Sequence, residues 1–206
     1  CTFPYWKAAL GGAFAIIIVK QLFGGLGQNF MNPALGARCF LALSFAGNMT
    51  AFYPSDVKGV DAATSATPLT ALKNLGESSS SLLDMFIGNH AGTIGETSVI
   101  ALLIGALYLT VRKIIDLRIP LTYIVVFGVC IMLFNKSTDI NFLAMQLCGG
   151  GLIFGAFFMA TDYATSPITQ SGRYIFGICL GLFTAIFRTF GNTAEGVSFA
   201  IIFCNR

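Results

Sequence analysis

Apolar runs recur along almost the whole chain, and they decide what it can fold into. Seven can be drawn, at residues 8–22, 34–48, 97–114, 119–135, 142–160, 174–190 and 194–205. A helix crossing a bilayer needs about 20 mostly apolar residues, and several runs approach that length. The second and the last are short, as broken or tilted helices are. Only 10% of the residues are charged, against roughly a quarter in soluble domains. Lipid is therefore the solvent for much of this chain. The fold class is an all-α integral membrane protein, a multi-helix bundle of about seven helices forming one transmembrane domain over residues 1–206. Glycine runs such as Gly24-Gly25 and Gly149-Gly150-Gly151 suit close helix approach. Net charge is +3 with no basic run, which gives no reason to expect a nucleic-acid partner.

Charge also orients the helices. Residues 112–118, RKIIDLR, hold three basic residues in a short loop, and such loops stay cytoplasmic. Alternation then puts residues 20–33, 161–173 and the C-terminal end inside. It puts the 49–96 loop and the turns at 136–141 and 188–195 outside. Arg38 falls in the inside set and Glu96 in the outside set. The inside set has seven basic residues and the outside set five, in line with the positive-inside rule.

Six cysteines are present, at 1, 39, 130, 148, 179 and 204, with no CxxC pair and one histidine, His90. Metal sites need clustered ligands, so the cysteines read as small apolar residues packed between helices. A cluster shared between helices at the membrane surface stays open.

The outer loop of residues 49–96 is too long for a simple helix connection. It contains the hydroxyl-rich stretches TSAT and ESSSS, a short amphipathic SLLDMFI and a glycine-punctuated exit, GNHAGTIGETS. Within it, DAATSAT places Asp61, Thr64, Ser65, Ala66 and Thr67 together. This resembles the flavinylation signal of membrane flavoproteins, Asp-x-x-(Ser/Thr)-Gly-Ala-(Thr/Ser). In those proteins an FMN transferase uses FAD to attach FMN to the final hydroxyl through a phosphoester. The acceptor must be small and reachable, and the transferase supplies most of the activation that a weak hydroxyl nucleophile needs. The resemblance implies Thr67 as the acceptor and Asp61 as a docking contact. Ser65 stands where glycine is usual and adds a competing hydroxyl. The plain alternative is a Ser/Thr turn, with Pro68 opening a helix PLTALKNL at its first position.

The signal does not stand alone. GLGQNFMNPALGARCFL (26–41), DAATSATPL (61–69), GNHAGTIGETS (88–98), FGAFFMATDYATSP (154–167) and AEGVSFAIIFCN (194–205) follow in order. Together they resemble the RnfD/NqrB family, most closely RnfD, the membrane subunit of the Rnf ferredoxin:NAD oxidoreductase. The resemblance implies a ten-helix fold of two inverted repeats similar to urea transporters, with about three helices before Cys1. It implies a subunit of a redox-driven ion-pumping translocase in a bacterial or archaeal cytoplasmic membrane. Electrons would pass through covalent FMN and a noncovalent riboflavin, coupled to sodium or proton export. Implied partners are an RnfG-like flavoprotein, an RnfC-like NAD-reducing subunit and RnfA/RnfE-like membrane subunits, with an FMN transferase during maturation. The rival from another class is a urea-transporter-like channel, which has no need of a flavinylation tag. An aquaporin would need a second Asn-Pro-Ala, and only residues 32–34 carry one.

For riboflavin, the inner loops offer Asn32 and Asp162. Both sit in polar, proline-containing connections between apolar segments, the usual sequence pointer to a ligand site in repeat-built membrane proteins. Helix capping is the competing use of these side chains. Glu96 is expected to cap a helix at the outer surface and Glu195 to do the same for the last segment, with Arg188 its possible partner. Arg38 is expected to snorkel or hold a phosphate-like group. All nine carboxylates fall in loops or at segment ends, so the sequence offers no acidic residue midway through an apolar run.

Overall fold

The computed structural model describes residues 3–25, 27–49, 67–75, 81–90, 92–93, 95–136, 139–191 and 196–205. Among them the regular structure is helical, with no strand. Three helices are long and apolar enough to cross a membrane: α1 (Tyr5–Phe23), α7 (Arg118–Asn135) and α10 (Gln170–Phe190). They cover the runs at 8–22, 119–135 and 174–190, although the runs at 97–114 and 142–160 are longer. α1 ends where Gly24 and Gly25 take φ of 111° and 89°. Those glycines therefore make a turn, and the expectation of close helix packing there is corrected.

The remaining apolar runs are not simple spans. α2 (Pro33–Ser44) has 12 residues and is followed, after a break at Phe45, by α3 (Ala46–Met49). Two short helices cross the long loop, α4 (Pro68–Leu75) and α5 (Leu82–Ile87). α6 (Val99–Val111) has 13 residues. At 1.5 Å per residue, α2 and α6 reach only about 18–20 Å, short of a hydrocarbon core of about 30 Å. The run at 142–160, expected as one helix, is two: α8 (Ile140–Cys148) and α9 (Leu152–Met159), bent by 64°. Gly150, with φ of 66°, sits in the break. The chain closes with α11 (Val197–Cys204), eight residues long.

α7 and α10 form the central pair. Gly177 and Gly181, one turn apart on α10, let the two backbones approach. A Cβ at Gly181 would lie 2.9 Å from both the Phe127 nitrogen and the Tyr123 oxygen. Small residues four apart are how helices pack where lipid supplies no hydrophobic drive. Between the pair, Tyr123 and Thr184 share a fully buried hydrogen bond of 2.6 Å. Around them pack Leu35 of α2, Met85 of α5, Val99 of α6, Leu152 and Ala156 of α9 and Ile201 of α11. The opposite faces of the spans expose Ile16 and Ile17, Val125 and Leu133, and Ile175, as suits side chains that meet lipid.

Contacts between connections group them into two ends. Arg173 pairs with Asp116 and donates to the Pro167 carbonyl at 3.2 Å, tying the 112–117 turn to the 161–169 connection. At the other end Lys73 of α4 reaches the Gly191 carbonyl after α10.

Candidate functional site

Thr67 stands immediately before α4. Its Oγ1 accepts the Thr70 N–H at 3.3 Å and lies 2.7 Å from the Thr70 hydroxyl. Thr67 is thus the N-cap of α4, and Pro68 takes the first helical position, where its missing N–H costs nothing. The side chain is half-buried. Asp61, Thr64, Ser65 and Ala66 lie outside the described residues, as does Glu195.

A pocket opens beside Thr67. Its wall brings together segments distant in sequence: Thr67–Leu69 of the α4 start, Met85 of α5, His90, Thr93, Glu96 and Thr97 before α6, and Gly149 and Gly150 at the break between α8 and α9. The break is what makes the approach possible. A Cβ at Gly149 would stand 3.3 Å from Leu69 and from Met85, and one at Gly151 would stand 2.9 Å from the Glu96 carboxylate. His90 Nδ1 is buried without a hydrogen bond. Burial pulls its pKa below the ordinary value, opposed by a backbone hydrogen bond and charge from Asp84.

Glu96 corrects two expectations. It does not cap α6; that is done by Ser98, whose hydroxyl accepts the Ala101 N–H. Its carboxylate is instead held by Arg38 of α2 and by the Thr93 hydroxyl at 2.7 Å. Alternation of the apolar runs puts Arg38 inside and Glu96 outside, yet they form one ion pair, 21% and 9% exposed. The physical reason is the half-length of both helices. The residues just before α6 pack against the α8–α9 break, beside Gly151, so the two ends of these short helices meet. A carboxylate is therefore placed against the bend between α8 and α9, which the run boundaries do not reveal.

Arg188 is a buried cation. It is 4% exposed, donates to the carbonyls of Gln146 and Gly149, and lies 5.0 Å over the Phe127 ring. Its position inside an apolar run is the sequence signal.

The two residues considered for riboflavin are occupied locally. Asn32 Oδ1 accepts the N–H groups of Ala34 and Leu35 and caps α2. Asp162 organises a turn: its carbonyl accepts from Thr165 and Ser166, and its carboxylate accepts the Thr165 hydroxyl at 3.4 Å. Among the described residues no hydrogen bond or ion pair joins the two. Of the cysteines, Cys39 and Cys148 are buried and Cys130, Cys179 and Cys204 partly so, and all five are free thiols.

The sequence profile of the NQR2, RnfD, RnfE family matches residues 1–206. The chain is 47% identical over 208 residues to the D component of the Na(+)-translocating ferredoxin:NAD(+) oxidoreductase complex of Acetobacterium woodii, covering 98% of this chain and 62% of that one. It is 40% identical to the D component of the proton-translocating ferredoxin:NAD(+) oxidoreductase complex of Clostridium ljungdahlii, covering 98% and 64%. Identity to the B component of the Na(+)-translocating NADH-quinone reductase of Stutzerimonas stutzeri is 34%, over 99% of this chain and 53% of that one. The chain thus spans less than two thirds of the length of these relatives.

Proposed function

Because this chain belongs to the NQR2, RnfD, RnfE family of membrane proteins, we propose that it is the electron-carrying membrane subunit of an ion-translocating ferredoxin:NAD oxidoreductase. Thr67 carries FMN through a phosphoester on Oγ1. Its loop faces away from the cytoplasm, and a noncovalent riboflavin near the opposite end continues the path. Partners are an RnfG-like flavoprotein on the Thr67 side, an RnfC-like NAD-reducing subunit inside, and RnfA/RnfE-like subunits in the membrane. Relatives named for sodium and for protons stand at similar identity, so the exported ion is left as either.

The observation that carries this reading is Thr67's position. It is a half-buried hydroxyl at the start of a helix, on a pocket that leads to the break in a membrane span. The residues fit the group. An esterified Oγ1 keeps lone pairs, so it still accepts the Thr70 N–H, and the Thr70 hydroxyl becomes the donor. The negative phosphate then lies at a helix N-terminus, where free N–H groups and the helix dipole favour it. The bound isoalloxazine would supply one- and two-electron chemistry; the chain supplies position and electrostatics. Glu96, neutralised by Arg38, fixes the far wall of the pocket.

The attachment itself balances. Thr67 Oγ1 bonds to the FMN phosphorus of FAD, the pyrophosphate bond breaks, and AMP leaves while the hydroxyl proton is lost to the transferase site or solvent. Co-expression with an FMN transferase followed by a denaturing gel tests it. The band fluoresces, Ser65→Ala still does, and Thr67→Val is dark. A dark wild-type band would favour a channel of the urea-transporter type, which needs no tag. Asp162→Ala should lower extractable riboflavin and leave the covalent flavin unchanged; unaltered riboflavin would remove Asp162 from that site.

A further inference from the structure

A second cavity lies on the other flank of α4. It is open to solvent and offers about 210 Å³ of space. Leu69 lines both this cavity and the pocket at Thr67. Its walls combine Phe142, Gln146, Arg188 and Thr189, and Lys73 stands at its exposed rim. We propose that this cavity receives the isoalloxazine ring carried by Thr67, and that Lys73 and Arg188 set the ring's charge preference. The proposal rests on the reading of Thr67 as the flavin carrier.

Four observations lead here. The first is reach. Lys73 lies six residues along α4 from Thr67, about 9 Å at the helical rise, a span that a five-carbon ribityl chain beyond a phosphate covers. The second is shape chemistry: Phe142 and Leu69 offer apolar faces, and the Gln146 side chain offers an amide edge. The third is an unsatisfied polar atom, since Thr189 Oγ1 is buried with no hydrogen bond. A buried hydroxyl without a partner is costly, and the carbonyl-rich edge of the ring would satisfy it. The fourth is charge. Reduction by two electrons and one proton leaves a flavin ring anionic, and cations beside it favour that form over the neutral oxidised one. Arg188 is well placed for this because its guanidinium is fixed by the Gln146 and Gly149 carbonyls. A buried Arg stays protonated.

The test uses the full-length protein carrying covalent flavin, with dithionite as the electron source. Three variants are compared with the wild type: Lys73→Gln, Lys73→Arg and the cavity-filling Thr189→Met. Gel fluorescence first establishes that each carries covalent flavin. At a potential where the wild type is half reduced, Lys73→Gln should raise the oxidised-to-reduced ratio several-fold and Lys73→Arg should restore it. Thr189→Met should make the flavin several-fold more quenchable by iodide under native conditions. If the gel shows no flavin in the wild type, the reading of Thr67 fails. If all proteins carry flavin but ratio and iodide access do not move, the ring lies elsewhere and the cavity assignment is overturned.

Discussion

One oxygen of Thr67 has two tasks. It caps α4 by accepting the Thr70 N–H and, on the proposed reading, it bears the phosphoester. Thr67→Val should therefore abolish the fluorescent band and also cost about 1 kcal/mol of stability through the lost cap. Thr67→Ser should keep both, and a dark Thr67→Ser band would mean that the transferase reads the methyl group. His90 adds a pH dependence on the same pocket wall. Its folded-state pKa is depressed by burial, so the folded chain favours the neutral ring. That contribution is complete above the unfolded value of about 6.5 and is lost as pH falls through the folded one. Thermal stability in detergent should fall on acidification below about pH 6.5, with a shallower slope in His90→Gln; equal slopes would put the sensitivity elsewhere. The Arg38–Glu96 pair gives a third test at this scale. Arg38→Met strands a largely buried carboxylate and should cost about 3 kcal/mol. Adding Glu96→Gln should recover much of that loss, and additive losses would argue that the two side chains act independently.

At the scale of elements, the fold depends on how closely α7 and α10 approach. The obstruction at Gly181 is backbone, the Phe127 nitrogen and the Tyr123 oxygen, so the neighbours cannot rotate away from an added methyl. Gly181→Ala should force the helices apart and lower the unfolding temperature, with a loss in the range of about 1–3 kcal/mol typical of an overpacked core. Gly12→Ala in α1 is the control. A Cβ there meets nothing within 4 Å, and alanine is the better helix former by about 1 kcal/mol, so its stability should hold or rise. These glycines are not distinguishable by composition. GICLG at 177–181 has the spacing of a packing motif; Gly149–Gly151 also admit close neighbours, but at a helix break, and Gly24-Gly25 make a turn.

At the scale of the whole molecule, hydropathy locates every apolar helix but not how far each one travels. α1, α7 and α10 each keep an apolar run in one long helix. The runs at 34–48, 97–114 and 142–160 do not, and neither length nor glycine and proline content sets them apart, since α7 holds Pro120 and Gly128 and α10 holds Gly177 and Gly181; neighbouring helices decide which form is taken. Counting each run as a crossing sends Arg38 and Glu96 to opposite faces. The contacts of Arg173 with Asp116 and of Lys73 with Gly191 each join loops that alternation places on one face. Accessibility to a membrane-impermeant thiol reagent separates these levels in intact cells, in a variant whose native cysteines are replaced. On the proposed orientation the basic 112–118 turn is cytoplasmic, so Lys113→Cys and Ser166→Cys should be protected until the membrane is opened, while Ser81→Cys reacts from outside. Thr97→Cys is the discriminating position. If α6 began at the surface, it would label as fast as Ser81→Cys. Because its neighbour Glu96 packs against Gly151 at the α8–α9 bend, it should label far more slowly. Equal rates would return the ion pair to the membrane surface.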